Sequence, residues 1–154
     1  MGGLAVDPKE ILKSTKTVLV VDWPSKEVPE LLVRAGFDVV VRGGPGPTDY
    51  SVYELKDGKV VARHTGCRPE RADLVYSYRP LSELPEIIAT AVALRARSIW
   101  TQSGASAAGI DDPRGCWAPE EELRSAEALV REAGLTYISR PYIGDVVREI
   151  GFVD

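Results

Sequence analysis

The chain has 154 residues, 44% of them hydrophobic, and a formal net charge of −4, which suits one domain with a real core. The acidic balance and the lack of a basic cluster argue against a nucleic-acid partner, and no run of about 18 apolar residues could span a membrane. Residues 1–8 lack the basic-then-apolar layout of a secretory signal.

In chain order, Asp7 and Pro8 open a short amphipathic helix over residues 7–15, with Ile11 and Leu12 as its apolar residues. Residues 17–21 form a continuous β-branched run, the pattern of a strand covered on both faces in a parallel sheet. Val28, Leu31, Leu32 and Ala35 follow at helical spacing, with Pro29 in the first turn and Gly36 as the stop. Residues 37–41 read as a second buried strand. A Gly/Pro loop over 43–47 leads to two β-rich runs around Asp57-Gly58, a strong hairpin signal. The hairpin, at about residues 51–63, interrupts the strand–helix rhythm and reads as a small insertion or an edge ribbon.

Residues 73–78 predict the third main strand. Leu84, Ile87, Ile88, Ala91 and Leu94 predict a helix, with Ser82 as its N-cap. Residues 98–102 predict a fourth strand, and 103–118 a long Gly/Ala-rich loop. Pro119 and Glu120 to Glu122 suit a helix start, with Leu123, Ala126, Leu129, Val130 and Ala133 as the buried face. Gly134 stops that helix, residues 135–139 predict a fifth strand, and residues 142–150 a last short helix. Strand–helix alternation five times over predicts an α/β fold. It is a doubly wound five-stranded parallel sheet with an inserted β-hairpin, in a single domain over residues 1–154. Trp100 and Tyr76 fall mid-strand and are core candidates.

In such sheets ligands bind at the carboxyl ends of the strands, near the switch in strand order. Four strand ends meet that edge: Asp22-Trp23-Pro24-Ser25, Arg42-Gly43-Gly44, Tyr78-Arg79-Pro80 and Gln102-Ser103-Gly104. Arg79 carries five donors in a planar fork suited to a phosphate or carboxylate. The catalytic inventory is thin. His64 has no specified Ser or Cys partner, although Cys67 is three residues away, and Cys116 beside Trp117 reads as a packed thiol. Asp111 and Asp112 are too few for a hard-cation site. Two cysteines outside any metal-type pair fit a reducing, cytoplasmic compartment and no structural zinc. Neither the dinucleotide glycine fingerprint nor a phosphate-binding P-loop occurs.

Three stretches, in order, carry a resemblance. They are Val75-Tyr-Ser-Tyr-Arg-Pro-Leu-Ser-Glu-Leu-Pro85, Ile99-Trp-Thr-Gln-Ser-Gly104 and Ala133-Gly-Leu-Thr-Tyr-Ile-Ser-Arg140. Together they resemble the small stand-alone CoA-binding proteins, which are Rossmann-like and similar to the CoA-binding domain of succinyl-CoA synthetase α subunits, so the resemblance implies a Rossmann-like fold. The resemblance implies a cofactor, coenzyme A or an acyl-CoA, held by Arg79, Pro80, Gln102, Ser103 and Gly104. Arg42 and Gly43 fall at the family's turn after the second strand. Trp23 would cover an adenine or a pantetheine arm, with Ser25 in the same loop. That first loop is shorter than in the family and carries Asp22, whose charge repels a pyrophosphate. The function expected is a non-catalytic CoA or CoA-like nucleotide-binding protein with a small-molecule partner and possible self-association. Two alternatives stand beside it. One is a protein-interaction or regulatory module that has lost nucleotide binding through its altered first loop. The other is a small enzyme using Cys67 with His64, or Asp22.

Overall fold

A computed structural model of the protein describes residues 7–21, 27–44, 46–79, 81–101, 120–139 and 143–151. The strands are β1 (Thr17–Val21), β2 (Asp38–Arg42), β3 (Tyr50–Lys56), β4 (Lys59–His64), β5 (Leu74–Ser77), β6 (Ser98–Thr101) and β7 (Thr136–Ile138). The helices are α1 (Pro8–Lys13), α2 (Glu27–Arg34), α3 (Leu84–Ala93), α4 (Glu120–Glu132) and α5 (Ile143–Ile150), with a short 3₁₀ turn at Leu81–Glu83.

The strands form one seven-stranded sheet in the order β4-β3-β2-β1-β5-β6-β7. The expected five-stranded parallel sheet is present as β2-β1-β5-β6-β7. The strand count needs correcting, because the hairpin does not stand apart. β3 pairs antiparallel with β2, matching Val39 with Tyr53 and Arg42 with Tyr50, and β4 then pairs with β3. Of the two sequence readings, the edge ribbon is therefore the one observed, and the hairpin as a whole spans residues 50–64, one residue further at each end than expected. The reason is burial: Tyr53 and Val60 pack with α2 against one core, so the ribbon extends an existing face. Arg34 of α2 adds a hydrogen bond from Nη2 to the Gly58 carbonyl at 3.2 Å.

Helices cover both faces, so each parallel strand is apolar on both sides, as its continuous run required. On one face Leu12, Val28, Leu32, Ile143, Val146 and Val147 of α1, α2 and α5 pack on Val18, Val20, Tyr76 and Trp100. On the other, Leu84, Ile87 and Ala91 of α3 and Ala126 and Val130 of α4 pack on Leu19, Val21, Val75 and Ile99. Tyr76 and Trp100 are fully buried, as their mid-strand positions implied.

Three local readings change. Ser82 is not the cap of α3: it lies inside the 3₁₀ turn, and Glu83 takes the N-cap position without a side-chain cap bond. Leu129 and Ala133 do not belong to the buried face of α4; Leu129 is 45% exposed, and among the described side chains of the helix Ala126 and Val130 are buried and Leu123 half-buried. α1 is shorter than expected, opened by Asp7, whose carboxylate accepts from the Lys9 amide at 3.0 Å, and closed at Ser14. No helix among the described residues is long and apolar enough to cross a membrane.

Candidate functional site

The strand order reverses around β1. From β1 the chain crosses by α2 to β2 on one side, and β5 lies on the other. Val21, the last residue of β1, is flanked in register by Arg42 of β2 and Ser77 of β5. Beyond Ser77 the chain must turn off the sheet. The buried Ser77 hydroxyl helps it do so by accepting from the Arg79 amide at 3.1 Å, while the Tyr78 amide donates to the Val21 carbonyl at 3.3 Å. This bend sends Arg79 back over the end of β1, and the 3₁₀ turn then brings Glu83 beside it.

The result is a cavity of about 110 Å³ lined by Val21, Arg42, Gly44, Arg79, Glu83, Glu86 and Ile87. Arg42 is well enclosed, its side chain 15% exposed. Its Nε donates to the Gly44 carbonyl at 3.1 Å and its Nη2 lies 3.7 Å from Glu86. The loop after Arg42 is pinned by Asp49. Its carboxylate accepts from the Gly46 amide at 2.7 Å, and a Cβ at Gly44 or Gly46 would come within 2.7 Å of it. A side chain at either position would push the Asp49 carboxylate aside.

Glu83 meets Arg79 along one edge of the guanidinium: Nε donates to both carboxylate oxygens at 3.1 Å, and Nη2 donates to Oε2 at 2.5 Å. The Arg79 hydrogen bonds, reinforced by the charges of Arg79 and Arg42, hold the Glu83 carboxyl below the usual carboxylate range despite partial burial. Among the described residues, two arginines therefore face two glutamates across one small hollow.

Of the residues expected at the site, Arg42 and Arg79 are brought together. Gly43 is directed elsewhere: its amide donates to the Asp49 carbonyl at 2.8 Å, and it borders a neighbouring hollow with Ser51, Tyr53 and His64. Trp23, Ser25, Pro80, Gln102, Ser103 and Gly104 lie outside the described residues, as do Asp22, Asp111, Asp112, Cys116 and Trp117. Sequence reasoning missed Glu83 and Glu86. The signal was the four-residue spacing from Arg79 to Glu83, overlooked because a helix capped at Ser82 leaves Arg79 outside it. His64 closes β4 with its Nε2 2.8 Å from the Thr48 carbonyl, and Cys67 is exposed. The described residues hold no group of three His, Cys, Asp or Glu side chains placed to bind a metal.

The family model described as a CoA binding domain matches residues 18–143. The chain belongs to the CoA-binding domain family. Its fold is shared by small stand-alone proteins of known structure. A hypothetical protein from Pyrococcus horikoshii OT3 is 16% identical with a TM-score of 0.58, the match covering 94% of this chain and 92% of that one. A protein from Thermus thermophilus is 19% identical with a TM-score of 0.56, covering 94% of this chain and 99% of that one. Prb, a protein redesigned for binding, is 17% identical with a TM-score of 0.59, covering 94% and 89%. Among curated proteins, none matches the chain. In this family setting the arginine pair at the strand ends is the feature to explain.

Proposed function

We propose that the protein is a non-catalytic binder of coenzyme A or an acyl-CoA. The observation that carries the reading is the convergence of Arg42 and Arg79 on one cavity beside Val21, at the point where the strand order reverses. Open α/β sheets bind their ligands at that point. Membership of the CoA-binding domain family supplies the ligand class. At about 110 Å³ the cavity accommodates one anionic group of such a ligand, since whole-ligand pockets run to about 300–1,000 Å³. A phosphate in this position meets a guanidinium from each side. Trp23, Ser25, Pro80, Gln102, Ser103 and Gly104 complete the proposed cleft. The setting proposed is cytoplasmic.

Isothermal titration with CoA, acetyl-CoA, NAD and ATP tests the reading. CoA or acetyl-CoA binds, and Arg79→Ala weakens that binding. Silence with all four ligands, or an Arg79→Ala protein that binds as well as the parent, rejects it.

A further inference from the structure

We propose that Glu83 is an internal competitor for the anion site. Its carboxylate occupies the edge of the Arg79 fork that a ligand phosphate takes, and binding exchanges one for the other. This rests on the reading of Arg79 as a phosphate contact, and goes beyond it by naming the group that sets the affinity.

Three observations carry the argument. First, the contact is made by Nε and Nη2 together. That edge of a guanidinium is one along which carboxylates and phosphates are gripped by two parallel donors. A carboxylate there stands where a phosphate oxygen pair would stand. Second, the pair is easily opened. Glu83 is 34% exposed and Arg79 37% exposed, so the carboxylate can be rehydrated when it leaves. Third, Glu83 is committed to Arg79 rather than to its own helix. It sits at the N-cap of α3 yet makes no cap bond, so its release breaks no helix contact.

Charge decides the direction of the exchange. A phosphate monoester or a pyrophosphate carries more negative charge than a carboxylate and offers more acceptor oxygens. It displaces Glu83, whereas a weaker anion does not. Glu83 thus raises the threshold for any anion and favours ligands rich in phosphate. Glu86 provides the internal comparison. It lines the same cavity, but it is 64% exposed and reaches Arg42 only at 3.7 Å. A change in local potential would act through Glu86 as well, more weakly because it is more exposed; displacement acts through Glu83 and is lost with the Arg79 fork.

The test is titration of CoA and of inorganic pyrophosphate into the parent protein, Glu83→Gln, Glu83→Ala and Glu86→Gln, with folding checked by circular dichroism. Removing Glu83's charge tightens binding about two- to fivefold, the scale of one partly exposed ion pair. That gain disappears when Arg79→Ala is added. Three results overturn the proposal: weaker binding in both Glu83 variants, which makes Glu83 a positioning residue; an equal gain from Glu86→Gln; or no pyrophosphate binding by any variant. If pyrophosphate tightens in Glu83→Gln while CoA binds nowhere, the exchange stands and the CoA reading falls.

Discussion

Asp73 and Thr17 hold each other at both ends of one link. The Asp73 amide donates to the Thr17 carbonyl at 2.8 Å, and the Asp73 carboxylate accepts from the Thr17 amide at 3.1 Å. The same carboxylate oxygen accepts from Lys16 at 2.8 Å, and Arg97 lies 3.7 Å from the other oxygen. This fastens the starts of β1 and β5 at the edge of the sheet opposite the candidate site, and so fixes the register that places Val21 beside Ser77.

Asp73→Asn therefore tests the link through pH. Burial pushes the carboxyl up, but the amides of Thr17 and Lys16 with the charges of Arg97 and Arg71 outweigh it, so the group sits below its ordinary 3.8. A lowered folded value stabilises above the unfolded value, and the contribution is lost as pH falls through the folded value. Urea unfolding at neutral pH should find Asp73→Asn less stable by about 1–2 kcal/mol. The two proteins should converge as the pH drops below 3.8. A constant gap across that range would show that the loss is not electrostatic.

The hairpin turn offers a second test. Asp57 and Gly58 both have positive φ, at 52° and 78°, as a two-residue turn matching the twist of its strands requires. A Cβ at Gly58 meets no atom within 4 Å, so strain in the backbone is the whole cost of Gly58→Ala. Thermal or urea denaturation should show a loss of about 1 kcal/mol. A loss several times larger would mean that the turn also holds β2, and with it Arg42.

The parallel core was legible because β-branched runs such as residues 17–21 report burial on both faces locally. The Asp57-Gly58 turn was legible because its chemistry lies within two residues. The choice between a separate insertion and an edge ribbon was not, since the join of β3 to β2 depends on Tyr53 and Val60 finding α2, contacts distant in the chain. At the site, the two arginines were found from their places at strand ends. Glu83 was not, because the helix was expected to start from a Ser82 cap, whereas a 3₁₀ turn over Leu81–Glu83 brings Glu83 to Arg79.

Helix α4 shows how a periodic pattern can overstate a buried face. Leu129 and Val130 are adjacent and both apolar, yet Leu129 is 45% exposed and Val130 fully buried. Leu129→Ser should change stability by less than about 0.5 kcal/mol. Val130→Ala should cost about 1–3 kcal/mol, combining lost burial with a cavity where α4 packs on α3 and β7. Similar losses at both positions, measured by urea unfolding, would mean that Leu129 is covered in solution.

Arg79→Lys separates charge from shape at the proposed anion site. Lysine keeps the positive charge but presents a single ammonium in place of a planar fork. Glu83 would lose its paired contact at the same time, so two effects oppose each other. The ligand loses a two-donor grip, and its internal competitor is held less firmly. The grip is the larger effect, because it is realised with a phosphate rather than a carboxylate. CoA affinity should fall about tenfold, corresponding to about 1.4 kcal/mol. Titration at two salt concentrations sharpens the reading, since the charge that lysine retains should preserve most of the parent's salt dependence. Full affinity in Arg79→Lys would place the phosphate beyond reach of the fork and leave Arg42 as its main contact.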